Sequence, residues 1–327
     1  MKMIITRTPF RVSLAGGGSD LPDYYRLRGG AVLSFAVDKY MYLSMHPNFR
    51  RSGFLLKYSQ VESVDTVEEI RHRVIRQVFG DYGINGVDFN SAADVPAGTG
   101  LGSSSAFTVG LSLLCDIFTG RRQTNDQLAA YACRVEIEKL GDPIGKQDQY
   151  ACAHGGINFI RFNPDDSVQV EKVFLPPAKA EELENNLALF YTGVTRSAGS
   201  ILSGQKRNMQ NGGAEVNAVG RLVELAEELE EELRRGNIDA VGDVLDRGWR
   251  YKKEMASGIS NPGIDDLHAR AMRAGAAGGK LLGAGGGGFL LFYAPGDKMD
   301  AVRRELAELP ELPFRFEKSG TTLAFHD

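Results

Sequence analysis

Apolar residues along this chain fall into short runs of two different periods, and the period switches several times. Ile4, Ile5 and Thr6, then Val12 and Leu14, alternate as a strand does, and a second extended stretch, Ala31 to Ser44, is rich in Val, Phe, Tyr and Met. Val67, Ile70, Val74, Ile75 and Val78 recur at helical spacing instead and predict a helix over 66–79. Gly86 to Ala92 reads as a strand, and Phe107 to Leu114 as the apolar body of a helix. Asn125 to Leu140 is a further predicted helix, with Asp126 near its start and Gly141-Asp142-Pro143 at its end. Gly155-Gly156 then precedes a strand from Ile157 to Phe162.

A polar, proline-containing connection near Asn163 to Lys179 is the expected domain boundary, dividing the chain into 1–170 and 171–327. At 327 residues the chain exceeds the usual size of a single core, which favours two domains. In the second part, Leu187 to Thr192 is a buried strand, and Leu222, Leu225, Leu229 and Leu233 form one face of a long helix whose other face is rich in glutamate. Ile264 to Ala274 is helical, Gly278 to Tyr293 reads as strand, glycine turn and strand, and Phe314 to Phe325 predicts a last strand pair. Strands and helices mix in both halves without a regular βα repeat, so an α+β fold is expected rather than a doubly wound sheet.

Composition narrows the function classes. Hydrophobic residues at 43% and charged residues at 24% are the balance of an ordinary globular protein. The net charge of −4, with no Lys/Arg-rich arm, argues against a nucleic-acid partner. The chain opens directly on strand-like residues, with neither a signal peptide nor a membrane span, and a soluble cytoplasmic protein without a membrane partner is expected. Cys115, Cys133 and Cys152 lack CxxC spacing and suit buried, reduced thiols. The five histidines are scattered without metal-ligand spacing.

Chemistry concentrates in PAGTGLGSSSA, Pro96 to Ala106. Gly98, Gly100 and Gly102 permit backbone geometries and close approaches that a Cβ forbids. Leu101 stands among them, and Ser103, Ser104 and Ser105 open the following helix, where they can cap it or offer hydroxyls to a phosphate or its magnesium ion. A helix N-terminus there would face an anion with free N–H groups. The same string also fits a flexible turn before a core helix. It is not a Walker loop, because no Lys-Ser/Thr pair follows the last glycine.

Three other segments stand beside it: TPFRVSLAGGGSDL with Arg11 and Asp20, EIEKLGDPIGKQDQYACAHGG with Glu136, Lys146 and Asp148, and the glycine hairpin Lys280 to Phe289. In this order the four resemble the motifs of the GHMP kinases, with the resemblance running over essentially the whole chain. It implies a two-domain α+β fold with the active site in the cleft between domains, ATP as phosphoryl donor and Mg2+ as cofactor. On the matching positions it makes Asp148 the residue that accepts or orients the acceptor's hydroxyl proton and Arg11 the cation beside it. Ser104 and Glu136 become the magnesium ligands; Pro96, Gly98, Gly100, Leu101, Gly102, Ser103 and Ser105 hold the nucleotide. Gly17, Gly18, Ser19, Asp20, Lys146, Gln147 and Arg196 become the sugar side, with Arg28, Lys39 and Lys280 as weaker candidates.

Gly17 and Gly18 occupy the family's Glu-His positions, which removes contacts made there in galactokinases and leaves room for a larger sugar. AGGGSDL, GKQDQYA and YTGVTR resemble the bacterial heptose kinase branch, and so imply transfer to the anomeric hydroxyl of D-glycero-D-manno-heptose 7-phosphate in nucleotide-activated heptose synthesis for a capsule or surface polysaccharide. An anomeric kinase of a free sugar such as L-fucose, and a non-catalytic sugar sensor on the same fold, are the alternatives. The expected partners are therefore a small sugar phosphate and ATP, with homodimerisation left open.

Overall fold

A computed structural model describes residues 3–195 and 214–327. Its spine is the antiparallel pair β1 (Ile4–Ala15) and β2 (Gly30–Pro47). β2 is long because its outer edge serves two neighbours: Gly30–Phe35 pair with β6 (Ile157–Phe162), and Met41–Pro47 with β5 (Val87–Ala93). β3 (Phe54–Lys57) runs parallel to β5 and carries β4 (Val61–Val64), while β7 (Val168–Lys172) adds to β6. The last strand, β11 (Thr322–His326), returns across the molecule to the other edge of β1. The sheet therefore mixes mostly antiparallel pairs with one parallel pair and agrees with the α+β class.

Helices cover this sheet on the side of the site. α1 (Pro22–Arg28) follows the first glycine turn and α2 (Arg73–Tyr82) lies beyond β4. α3 (Ser103–Thr119) is buried on most of its surface because it packs against β1 and β2 and is flanked by α4 (Asn125–Cys133) and α5 (Gln147–His154). α6 (Pro177–Asn185) leads to a three-stranded sheet in the order β8 (Leu187–Tyr191), β10 (Phe289–Tyr293), β9 (Gly278–Leu281). α7 (Ala214–Arg234), α8 (Ala240–Glu254), α9 (Pro262–Ala274) and α10 (Lys298–Glu305) complete the described helices. Leu222, Leu225, Leu229 and Leu233 are buried as their spacing predicts, and join a core that includes Phe10, Val12 and Phe35 of the large sheet together with Leu290 and Trp249. Residue 170 lies inside β7, which stays with the large sheet, as does β11. All three cysteines are buried and unpaired.

Four expectations are corrected. The helix over 66–79 is two pieces: a 3-10 turn, Val67–Glu69, closed by the Thr66–Glu69 capping box, and then α2, whose N-cap His72 accepts the Ile75 N–H. Glu62 accepts the N–H groups of Arg71 and His72, which draws them out of a continuous helix. Asn125 to Leu140 is α4 followed by a π-helical stretch, Arg134–Lys139. The last strand pair is one strand, β11. Phe316 makes only an isolated antiparallel bridge to Val37, and the Phe314 ring stacks on Phe35 at 5.8 Å while Phe316 meets it edge-on at 4.7 Å, so their apolar pattern reflects packing more than a ladder. Finally, no serine caps α3; Gly102 is its N-cap, with φ at +76°.

Candidate active site

β1 and α5 bring the central pair together. Arg11 donates from Nε to Asp148 Oδ1 at 2.8 Å, and its second terminal nitrogen lies 2.7 Å from the same oxygen. The arginine side chain is 5% exposed and the aspartate 25%, so the carboxylate keeps an open side towards the cavity. Arg11 also fastens the glycine loop: its backbone N–H bonds Leu101 O at 3.0 Å and its guanidinium bonds Gly100 O at 2.6 Å. Leu101 thus acts through its carbonyl, while its side chain is buried in the core. Gly102 is required on two counts. Its φ is left-handed, and a Cβ there would stand 3.2 Å from Arg11 Cγ and 3.3 Å from Asp148 Oδ2.

The N-terminus of α3 opens into a cavity of about 440 Å³ that Arg11, Asp148 and Ser104 also line. The first N–H groups of a helix have no partner within it, so this wall offers donors and a positive dipole end to a phosphate. Gly98, Gly100, Gly102, Ser103 and Ser105 line the cavity as well. Pro96 does not: it is exposed, and its carbonyl accepts the Thr99 hydroxyl. The second glycine run forms the opposite wall and interlocks with the loop. A Cβ on Gly283 would come within 2.6 Å of Gly100 Cα, and one on Gly100 within 2.8 Å of Leu282 O.

Glu136 sits in the π-helical stretch, completely buried beneath Ser104. Ser104 donates its hydroxyl to Glu136 Oε1 at 2.9 Å, and Gln149 Nε2 donates to Oε2 at 2.8 Å. Burial pushes the Glu136 carboxyl up to about 7, against these hydrogen bonds. No cation pairs with it among the described residues, so it carries an uncompensated negative charge whenever it is ionised. A divalent ion beside Ser104 would compensate that charge with hard oxygen donors. No group of three or more His, Cys, Asp or Glu side chains gathers to hold a metal among the described residues. One carboxylate and one hydroxyl still suit magnesium, which completes its shell with water and substrate phosphates. The donor set fits that ion.

The residues expected on the sugar side divide. Gly17 lines the cavity without a left-handed φ, and a Cβ there would meet nothing closer than 3.9 Å. Gly18 has φ +96°, and a Cβ on it would strike Met255 at 2.6 Å, so its absent side chain serves the backbone rather than the substrate. Asp20 faces the cavity but is tied by the Gly18 N–H (3.0 Å) and by both nitrogens of Gln147 (3.2 and 3.1 Å). Burial and then the Asp148 charge raise its carboxyl above the usual range. Gln147 Oε1 is buried without a partner, an acceptor ready for a substrate donor. Ser19 is corrected: its hydroxyl is wholly buried and bonds Gly16 O and Ala31 O. Lys146 is also turned away, its ammonium on Asp166 and over the Tyr25 ring. Arg196 lies outside the described residues. Arg28 lines a separate surface groove and Lys39 pairs with Asp38.

Lys280 does reach the cavity, joined there by Lys252, which belongs to none of the four motif segments. Lys252 follows Gly248 by four positions and precedes Met255 by three, and all three line the cavity. A lysine on the inward stripe of α8 was the available signal.

Residues 68–156 match the GHMP kinases N terminal domain family and residues 229–311 match GHMP kinases C terminal. The chain is 30% identical, over 98% of its length and 98% of the relative's, to D-glycero-alpha-D-manno-heptose 7-phosphate kinase of Campylobacter jejuni. The chain belongs to the GHMP kinase family. It is therefore a phosphotransferase that uses ATP. A second relative, the bifunctional fucokinase/GDP-fucose pyrophosphorylase of Arabidopsis thaliana, is 29% identical over 93% of this chain but only 31% of its own length. In fold, the chain superposes on a D-glycero-D-manno-heptose 1-phosphate kinase crystal structure from Bacteroides thetaiotaomicron with a TM-score of 0.81, 24% identity and 99% of each chain covered. The two glycine segments and the Arg11–Asp148 pair line one cavity. No described helix is long and apolar enough to cross a membrane.

Proposed function

We propose that this GHMP kinase phosphorylates the anomeric hydroxyl of D-glycero-D-manno-heptose 7-phosphate, giving the 1,7-bisphosphate for nucleotide-activated heptose used in a capsule or surface polysaccharide. The observation that carries the sugar assignment is Gly17, which leaves the cavity floor open between Ser13 and Gln147. Full-length similarity to a heptose 7-phosphate kinase supports it.

In the proposed reaction, phosphates of ATP lie at the N-terminus of α3. Ser104 and Glu136 would hold magnesium, which when bound would neutralise phosphate charge. The carboxylate of Asp148 accepts or orients the acceptor's hydroxyl proton, and the hydroxyl oxygen forms a bond to the γ-phosphorus. The bond from that phosphorus to the β–γ bridging oxygen breaks, and its electron pair leaves with ADP. Arg11 holds Asp148 in place and supplies positive charge beside the phosphoryl group in transfer. Gln147 Oε1 accepts from a sugar hydroxyl.

Phosphorus NMR of the product formed from ATP, Mg2+ and heptose 7-phosphate tests the assignment. Two phosphate signals, one of them anomeric, are expected, and Asp148→Asn should cut turnover by several orders of magnitude. Turnover of L-fucose with none of heptose 7-phosphate would transfer the assignment to the free-sugar kinase that the fucokinase relative represents. Absence of any phosphotransfer from the wild-type chain would favour a sugar-binding sensor.

A further inference from the structure

Lys280 on β9 is buried and Lys252 on α8 half-buried in the C-terminal wall of the cavity. Lys280 Nζ donates to Ser13 O at 3.0 Å and Leu14 O at 3.1 Å, carbonyls at the end of β1. Lys252 Nζ donates to Leu281 O at 2.9 Å and Gly283 O at 2.5 Å, where β9 enters the glycine hairpin. An ammonium has three N–H donors, so each lysine retains one after its two carbonyls are counted.

Neither lysine forms an ion pair among the described residues, and the only carboxylate paired with Arg11 is Asp148. Arg11 acts repulsively on both, and Lys280 on Lys252. Burial first, and then this repulsion, lowers the Lys280 ammonium to about 7 and holds Lys252 well below its ordinary value, so an anion that joined them would restore the charge that the cavity disfavours. Asp148 and Asp20, carboxylates lining the same cavity, are already tied, the first to Arg11 and the second to Gly18 and Gln147. Buried charges are ordinarily paired, and leaving them unpaired is costly. The two ammonium groups lie beside Arg11 and Asp148, where the two glycine loops interlock, rather than at a surface where solvent would screen them.

We propose that Lys252 and Lys280, together with Arg11, form a subsite for a phosphate dianion at the reacting end of the cavity. The two carbonyl bonds on each ammonium fix its position before the anion arrives, so little is lost in ordering the side chains. The subsite differs in kind from the α3 N-terminus, which offers backbone N–H groups. Lys280 stands on β9 of the three-stranded sheet, Lys252 on α8 packed against β9, and Arg11 on β1 of the large sheet, so the subsite exists only when the two sheets are docked. Two sources could supply the dianion: the γ-phosphoryl group of ATP, or the phosphate carried by a phosphorylated acceptor. The inference rests on the reading of the chain as a phosphotransferase and does not depend on which sugar it takes.

Lys252→Met and Lys280→Met test it, each keeping the length of the side chain without its charge. Folding is followed by thermal melting and activity by steady-state kinetics. Each variant should lose about 100-fold or more in kcat while keeping one cooperative thermal transition, lowered because two carbonyls lose their ammonium donor. Lys252→Arg should recover part of the loss. Pyrophosphate, which raises the melting temperature of an anion-binding protein, should do so less in either Met variant. Titrations with a non-hydrolysable ATP analogue, with the sugar phosphate and with the unphosphorylated sugar then separate the sources. Weakened binding of the analogue assigns the subsite to the γ-phosphoryl group; weakened binding of the sugar phosphate but not of the free sugar assigns it to the acceptor. Variants that keep kcat within threefold of wild type, or that bind pyrophosphate and both phosphorylated ligands normally, overturn the proposal. A wild-type chain without phosphotransfer overturns the functional reading instead, which separates the two failures.

Discussion

Single residues in this site divide into those whose chemistry is local and those whose role depends on direction. Arg11, Ser104, Glu136 and Asp148 are legible because phosphoryl transfer needs cations, hard oxygens and a carboxylate, and their motif positions supply them. Arg11 meets Asp148 and Ser104 meets Glu136, and Arg11, Asp148 and Ser104 line one cavity. Lys146 and Ser19 have equally suitable chemistry but point elsewhere, towards Asp166 and the Ala31 backbone. Which way a side chain points is set by its neighbours in space, and no spacing rule reports it. Gly17 offers the sharpest residue-scale expectation. Its ordinary φ and open surroundings mean that Gly17→Ala should fold, gaining about 0.4–1 kcal/mol by restricting the unfolded chain. Gly17→Leu would crowd the sugar floor and cost about 1–3 kcal/mol in acceptor binding, roughly 5- to 150-fold in KM for the sugar phosphate. Melting curves and initial rates at varied acceptor concentration check both. An unchanged KM in Gly17→Leu would place the sugar away from this floor.

Among the elements, α3 shows how a motif becomes a machine part. Its apolar body was evident from Phe107 to Leu114, and the glycines before it indicated a close approach. The identity of that approach is tertiary: a side chain on Gly102 would meet Arg11 and Asp148, and Gly100 and Gly283 leave no room for a Cβ between their backbones. The two ends of α3 make an internal control, since Gly102 and Gly120 both have left-handed φ, yet Gly120 has nothing within 4 Å of an added Cβ. Ala at either position costs about 1–2 kcal/mol for the left-handed backbone. Only Gly102→Ala should also depress kcat, by about tenfold or more, because it presses on the catalytic pair. Equal kinetic effects at the two ends would deny Gly102 that role. The π-helical turn is the complementary case. Helical periodicity over 125–140 could not disclose it, because the extra residue leaves the apolar pattern nearly unchanged while carrying Glu136 into the core beneath Ser104.

For the whole molecule, the decisive feature is that the two sheets share one core. Phe10, Val12 and Phe35 of the large sheet belong to the same buried cluster as Leu290 and Trp249. β11 closes back on β1, where the buried hydroxyls of Thr8 and Thr321 lie 2.8 Å apart, and Lys280 straps β9 to β1. The described parts should therefore unfold together, with near- and far-UV circular dichroism melting at one midpoint; two separated transitions would show that the halves are energetically independent. The α+β class, the buried stripe of α7, the absence of a basic nucleic-acid arm and the motif residues of a GHMP kinase were all properties of the chain as written, because periodicity, charge and residue chemistry are local quantities. Tertiary structure alone decided that β11 crosses to the first sheet, that Lys146 leaves the cavity while Lys252 and Lys280 enter it, and that Glu136 is buried under Ser104. Those outcomes depend on which surfaces find each other in space, where the burial of apolar area and the pairing of buried polar groups are settled for the whole molecule at once.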